Sequence, residues 1–199
     1  MASFVPSPYD NIPLEQWEEK TAELIDGHPL DRQDIVDIVR LSWEAIFESR
    51  LGGKFRIGYE IFPQPQIMGF LLHALIPLEI ASRYPAQWRP EKSKIDKDIV
   101  YIPNDLLSIE LKTSSHPSQI FGNRSYAQEG SGNGKSKSGY YITVNFQKFN
   151  PHRRPNITLI RFGWLDHTDW LGQLAATGQQ ARIKPQSDRT KLLKLYSSN

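Results

Sequence analysis

Two acidic residues and a lysine stand close together in an otherwise apolar part of the chain. Asp98 precedes the run IVYI, and Glu110 and Lys112 interrupt the run LLSIELKT. Carboxylates supply the oxygen ligands that Mg²⁺ prefers, and a bound Mg²⁺ can polarise a phosphate group and lower the pKa of a water molecule. A neighbouring lysine can orient or deprotonate that water and offset charge that develops on phosphorus. These residue types therefore predict metal-assisted hydrolysis of a phosphodiester.

Strand alternation is what would bring these side chains together. Residues 98–102 and 106–113 are predicted as two strands joined by the turn Pro103-Asn104-Asp105. Because side chains alternate between the faces of a strand, Glu110 and Lys112 share one face, and the short turn returns Asp98 to their level. Asp96, two residues earlier, could share or take over the role of Asp98.

Helices are predicted ahead of this hairpin. Residues 14–25 fit one helix, and residues 32–49 fit a second with Asp31 as its N-cap. Residues 67–85 are apolar on all sides, so we expect a centrally packed helix that is kinked or restarted at Pro77 and stops before Pro85. His73 within it is predicted to be a core histidine, whereas Glu79 must reach solvent or find a partner.

The second half of the chain is predicted to hold a long loop and further strands. Residues 114–138 include GSGNGKSKS and are predicted as a mobile, basic, DNA-contacting loop. Residues 140–146 and 157–164 fit strands, and 169–176 fit a helix before a basic tail. This order predicts one α/β (α+β) domain over residues 1–199, with a mixed sheet of at least four strands flanked by helices and a helical N-terminal subregion over residues 1–50.

Charge is unevenly distributed although the formal net charge is only +2. Residues 10–48 carry 11 acidic and 3 basic side chains, whereas residues 113–161 carry 7 basic and 1 acidic. The middle of the chain is therefore the part expected to face a polyanion, with ordinary solvated surfaces as the alternative. The candidate DNA-contacting residues are Asn123, Arg124, Tyr126, Lys135, Lys137, Arg153 and Arg154.

Composition restricts the metal and the compartment. The chain has no cysteine, so a metal ion must be held by carboxylates or by the five histidines. The N-terminus has no basic segment followed by an apolar one, and no run of 18 apolar residues occurs. We expect a soluble, intracellular protein with no membrane partner.

The acidic hairpin resembles the PD-(D/E)xK signature of restriction-endonuclease-like nucleases. Asp98 is followed after eleven residues by Glu110-Leu111-Lys112 on the next strand. The resemblance implies a restriction-endonuclease-like core in which Asp98, Glu110 and the backbone carbonyl of Leu111 are Mg²⁺ ligands and Lys112 is the catalytic lysine. It implies Glu79, on the preceding helix, as an accessory acid. The chain departs from the signature at Lys97, where the family often has proline.

A narrower resemblance concerns the later strands and the chain length. The run KSGYYITVNF and the segment ITLIRFGWLD are similar to the small ScaI-like restriction enzymes. This resemblance implies a cytoplasmic, prokaryotic type II restriction endonuclease that cuts double-stranded DNA as a homodimer at a short palindrome and is paired with a DNA methyltransferase. Two other interpretations stay open: a non-catalytic DNA-binding protein, and a repair or recombination nuclease such as a junction resolvase or a mismatch nickase.

Overall fold

The structure is a computed structural model, which describes residues 6–128, 135–150, 153–175 and 177–198. The α-helices within these ranges are α1 Trp17–Asp26, α2 Arg32–Glu48, α3 Pro65–Arg83 and α4 Pro185–Thr190. The strands are β1 Arg50–Leu51, β2 Phe55–Arg56, β3 Trp88–Pro90, β4 Ile99–Tyr101, β5 Ile109–Ser114, β6 Phe121–Asn123, β7 Gly139–Phe146, β8 Ile157–Leu165, β9 Trp170–Gly172, β10 Gln180–Ile183 and β11 Leu192–Ser197.

A mixed sheet forms the centre of the fold. Its strand order is β11-β8-β7-β5-β4-β3, and β5 and β7 run parallel while the other neighbours run antiparallel. β4 and β5 pair as the predicted hairpin, with Ile99 opposite Ile109, and a 3₁₀ turn at Asp105–Leu107 lies between them. The predicted fold class, a restriction-endonuclease-like mixed sheet with flanking helices and a helical N-terminal region, is confirmed.

The N-terminal helices cover one face of this sheet. Asp31 begins α2, since its side chain accepts hydrogen bonds from the backbone N–H groups of Gln33 at 2.7 Å and Asp34 at 3.4 Å. Such caps satisfy N–H groups that have no partner within the helix. The buried side of α2, which includes Trp43, packs in the same apolar cluster as the inward residues of β5, β7 and β8. The acidic helices therefore cover the core.

α3 is buried on one side rather than on all sides. It is helical from Pro65 through Pro77 to Arg83, so no restart occurs at Pro77, and it ends before Pro85 as predicted. By length and composition it could cross a membrane, and a third of that window is buried inside the protein. Gly69 brings α3 close to β5, because a Cβ there would lie 2.8 Å from Thr113 Oγ1. The exposed side carries Ile67, Phe70 and Leu78.

A smaller sheet, with strand order β6-β10-β9, covers the opposite face. The helix predicted over 169–176 is wrong: β9 occupies Trp170–Gly172 and pairs with β10, and residue 176 lies outside the described residues. Trp170 is 3% exposed and packs in a second apolar cluster beneath this sheet, which favours the strand. The predicted basic tail includes β11, which pairs with β8.

A buried histidine joins the N-terminal region to the segment before β5. His28 Nδ1 accepts the N–H of Leu30 at 3.2 Å, so Nε2 carries the proton that is donated to the carbonyl of Leu107 at 3.1 Å. Burial among aromatic rings lowers the pKa of His28 to about 4. The imidazole is therefore neutral in the folded protein at neutral pH.

Acid should destabilise the fold through His28. The unfolded chain binds this proton at higher pH than the folded protein, so stability is lost as pH falls from about 6.5 toward 4. Between about pH 7 and pH 5 we expect the free energy of unfolding of the wild type to drop by about 2 kcal/mol more than that of His28→Gln. Urea denaturation at both pH values measures this difference, and equal drops would contradict a neutral, buried His28.

Candidate active site

The structure brings Asp98, Glu110 and Lys112 together between the two sheets. Asp98 directly precedes β4, and its Oδ2 accepts the backbone N–H of Leu111 at 2.7 Å. Leu111 itself is fully buried on the helical side of β5, as alternation requires. Antiparallel pairing of β4 with β5 is therefore what places the two carboxylates beside each other.

Glu110 is the most deeply buried acid of the site, at 2% exposure. Its Oε1 accepts hydrogen bonds from Lys112 Nζ at 2.7 Å and from the hydroxyl of Tyr126. Burial alone would raise the pKa of Glu110, but the ammonium groups of Lys112, Lys97 and Lys135 outweigh burial and lower it to about 2. Glu110 is consequently ionised at neutral pH.

Lys135 links the two carboxylates. Its Nζ lies 2.7 Å from Asp98 Oδ1 and 2.8 Å from Glu110 Oε2, and its side chain is 15% exposed. Burial acts to lower the pKa of Lys135, but Glu110 and Asp98 raise it further than burial lowers it. A single positive charge is thus shared by one oxygen of each acid.

Lys97 supplies a further buried ammonium group next to Asp98. It is 7% exposed, and its Nζ donates to the backbone carbonyl of Ser136 at 2.7 Å. Burial lowers the pKa of Lys97 to about 8 although Glu110 acts to raise it. Lys97 therefore ties the segment around Ser136 to the acidic site.

The acid pair suits a hard divalent cation. Asp98 Oδ1 and Glu110 Oε2 both contact the Lys135 ammonium group, so the two oxygens point toward one common position. The carbonyl of Leu111, which accepts from Lys112 Nζ at 3.0 Å, is a third oxygen beside them. Among the described residues no group of three or more His, Cys, Asp or Glu side chains could hold a metal. Two carboxylates and a carbonyl fit Mg²⁺, which keeps several waters.

The two candidate accessory acids lie outside this group. Asp96 accepts a hydrogen bond from Arg89 Nη1 at 2.8 Å, and this bond is the main reason that the pKa of Asp96 is lowered. Glu79 forms an ion pair with Arg83, one turn along α3, at 3.3 Å. Of the two neighbouring aspartates, Asp98 is therefore the one that meets Glu110 in this structure.

His73 is the α3 residue that faces the site. It lines a cleft of about 1000 Å³ between α3 and the end of β5, and also an adjoining cleft of about 320 Å³ that reaches Lys112. Burial lowers the pKa of His73, and Asp98 acts in the opposite direction. The prediction of a core histidine is wrong, because this side of α3 meets the acidic site. His73 follows Gly69, which lies against β5, by one helical turn. This spacing is the feature of the sequence that indicates the position of His73.

The predicted DNA-contacting loop divides into differently placed parts. Within residues 114–138 the structure has β6 and a 3₁₀ helix at Arg124–Ala127, and residues 129–134 lie outside the described residues. Tyr126 is 6% exposed and points into the acidic site, whereas Asn123 is exposed on β6. Lys137 Nζ lies 4.4 Å from the centre of the Tyr126 ring.

The remaining predicted contacts lie on other surfaces. Arg124 Nη1 donates to the carbonyl of Gly178 at 3.2 Å, which holds the 3₁₀ helix against the segment before β10. Arg154 pairs with Glu44 of α2 at 2.6 Å, on the helical face of the protein. Arg153 is exposed beside it in sequence. The structure therefore places Lys135 and Lys137 at the acidic site, but neither Arg124 nor Arg154.

The mixed sheet and the acidic pair on its neighbouring strands define a restriction-endonuclease-like nuclease. A family model described as ScaI restriction endonuclease matches residues 7–196. The type II restriction enzyme ScaI of Streptomyces caespitosus is 52% identical over 194 residues, which cover 96% of this chain and 85% of that protein. The chain belongs to the ScaI family of type II restriction endonucleases. The narrower resemblance seen in the sequence is thereby confirmed, and the comparisons favour neither the non-catalytic protein nor the repair nuclease.

Removing the Tyr126 hydroxyl should weaken the acidic site without removing packing. Tyr126→Phe keeps the ring against Trp170, with ring centres 5.0 Å apart, but deletes the hydrogen bond to Glu110. Since hydrogen bonds to charged groups contribute about 1.5–3 kcal/mol, we expect urea denaturation to show a loss in this range and NMR to show a raised Glu110 pKa. Tyr59→Phe, at an exposed tyrosine, is the control. Identical behaviour of the two variants would argue against the bond.

Proposed function

We propose that the protein is a Mg²⁺-dependent endonuclease that hydrolyses both strands of double-stranded DNA at a short palindromic sequence and acts as a homodimer. Asp98 and Glu110 hold the ion in this proposal, the carbonyl of Leu111 adds a ligand, and Lys112 lies beside the attacking water. The observation that carries it is that Asp98 Oδ1 and Glu110 Oε2 both contact the Lys135 ammonium group. Lys112 Nζ lies 2.7 Å from the other Glu110 oxygen, Oε1.

The chemistry divides between the ion and the residues around it. A bound Mg²⁺ would polarise the scissile phosphate and lower the pKa of a water molecule. Lys112 is held by Glu110 and by the carbonyl of Leu111, so its ammonium group has a fixed position from which to orient that water and offset charge on the phosphate. Tyr126 and the backbone N–H of Leu111 fix the two carboxylates and reduce the reorganisation needed during the reaction.

A groove beside the acids supports DNA as the substrate. The clefts next to His73 share Thr113, Phe121 and Gln180. Lys112 lines the smaller cleft, and Lys148 and Glu91 line the larger one. Positive side chains along a groove bind phosphates, while amides such as Asn and Gln can read base edges. We propose that the DNA backbone follows this groove, with Lys137 and Asn123 at its border.

A homodimer is proposed from symmetry and from one exposed surface. A palindromic site has two-fold symmetry, which a dimer of identical chains matches. The outer side of α3 exposes Ile67 and Leu78 at 52% and 56%, and an apolar surface of this kind is what a second copy would cover. An enzyme of this type also needs host DNA to be protected, so we extend the proposal to a prokaryotic cytoplasm and a partner DNA methyltransferase.

Plasmid cleavage with matched variants tests the catalytic assignment. We expect Asp98→Asn and Glu110→Gln to lower the cleavage rate by at least about 100-fold, because the metal contributes several kcal/mol to the barrier. Asp96→Asn and Glu79→Gln each remove one negative charge at a residue outside the acid pair. Both variants should remain active. Cleavage is measured with Mg²⁺ and with EDTA, and the ends are sequenced.

The outcome separates the interpretations. We expect all cleavage ends to lie at one short sequence. We expect only the Asp98 and Glu110 variants to lose this cleavage. Cuts confined to branched or mismatched DNA would favour the repair nuclease, and DNA binding without cleavage under any divalent metal would favour the non-catalytic protein. Equal loss of activity in Asp96→Asn and Asp98→Asn would overturn the assignment of the first ligand.

A further inference from the structure

Lys135 contacts the same two oxygen atoms that the proposed metal ion would use. Its Nζ lies 2.7 Å from Asp98 Oδ1 and 2.8 Å from Glu110 Oε2. A Mg²⁺ ion binds carboxylate oxygens at about 2.0–2.1 Å, so an ion on both atoms would lie within van der Waals contact of this ammonium group. The ion and the Lys135 ammonium group therefore exclude each other.

The other lysines of the site do not stand in the way of an ion. Lys112 bonds to Oε1 of Glu110 and to the carbonyl of Leu111, and Lys97 bonds to the carbonyl of Ser136. Both can keep these partners when an ion lies between Asp98 Oδ1 and Glu110 Oε2. Lys135 is the one of these three lysines that bridges the two carboxylates.

The backbone next to Lys135 is anchored independently of its side chain. Lys97 Nζ holds the carbonyl of Ser136 at 2.7 Å, and the hydroxyl of Tyr141 donates to the carbonyl of Lys137. The long, flexible side chain of Lys135 can thus leave the carboxylates while its backbone stays beside the site. A DNA phosphate bound next to the metal would then lie within its reach and offer it a replacement anion.

We propose that Lys135 competes with the divalent cation for Asp98 and Glu110 and that a DNA phosphate group draws its ammonium group away, so that metal and DNA bind cooperatively. This inference rests on the proposed function, because it assumes that these two acids hold the ion. Each ligand favours the state in which Lys135 is released, so each raises the affinity of the protein for the other by the same factor.

Calcium binding to the DNA-free protein tests the competition. Ca²⁺ uses oxygen ligands and serves as the probe in isothermal titration calorimetry. We expect Lys135→Gln to bind Ca²⁺ at least about 10-fold more tightly than the wild type, a factor within the usual range of couplings between sites. Lys137→Gln removes an equal charge two residues away, where the ammonium group lies over the Tyr126 ring, and should change Ca²⁺ affinity much less. Lys135→Arg should restore weak binding.

Cooperativity is measured with a duplex that spans a cleavage site mapped with the wild-type enzyme. Ca²⁺ should tighten duplex binding by the wild type more strongly than by Lys135→Gln. Equal Ca²⁺ affinities of the wild type, Lys135→Gln and Lys137→Gln would overturn the inference. A Ca²⁺ affinity that Asp98→Asn and Glu110→Gln leave unchanged would instead overturn the metal site of the proposed function, so the two failures can be told apart.

Discussion

The rest of this structure depends on one constraint: the carboxylates of Asp98 and Glu110 lie side by side and are largely buried. Burial of an ionised acid costs several kcal/mol unless opposite charges compensate. Here Lys97, Lys112 and Lys135 compensate Asp98 and Glu110, and the pKa of Glu110 consequently falls to about 2 despite burial. In the proposed function, the two carboxylates that hold these lysines are also the ligands of the divalent cation.

The fold explains which parts of this site could be predicted from the sequence. Glu110 and Lys112 share a face because strands have a side-chain period of two, and this needs no tertiary information. The hairpin of β4 and β5 could likewise be predicted from the sequence, because its turn residues are recognisable. The choice between Asp96 and Asp98 could not be predicted from the sequence. It depends on the hydrogen bond that Arg89, on the neighbouring strand β3, donates to Asp96.

Other features depend on elements that are distant in the chain. His73 was predicted as a core histidine because its helix is apolar on all sides in sequence, and only the packing of α3 on β5 reveals that His73 meets the acidic site. Lys135 and Tyr126 were assigned to a DNA-contacting loop from their composition and neighbours. Tyr126 reaches Glu110 because its 3₁₀ helix packs on Trp170, and Lys135 reaches it because Lys135 lies just before β7, which pairs with β5. The segment Trp170–Gly172 was predicted as part of a helix. It is a strand because it pairs with β10, and a pairing with a strand elsewhere in the chain leaves no pattern in the local sequence.

The central claim is that Asp98 and Glu110 hold one cation and that Lys135 gives up this position to it. Anomalous diffraction from crystals of the wild-type protein soaked in Mn²⁺ tests the claim most directly. We expect a single strong peak in contact with Asp98 Oδ1 and Glu110 Oε2, and Lys135 Nζ displaced from both oxygens. Mn²⁺ bound at other residues, with Lys135 Nζ still bridging Asp98 and Glu110, would contradict it.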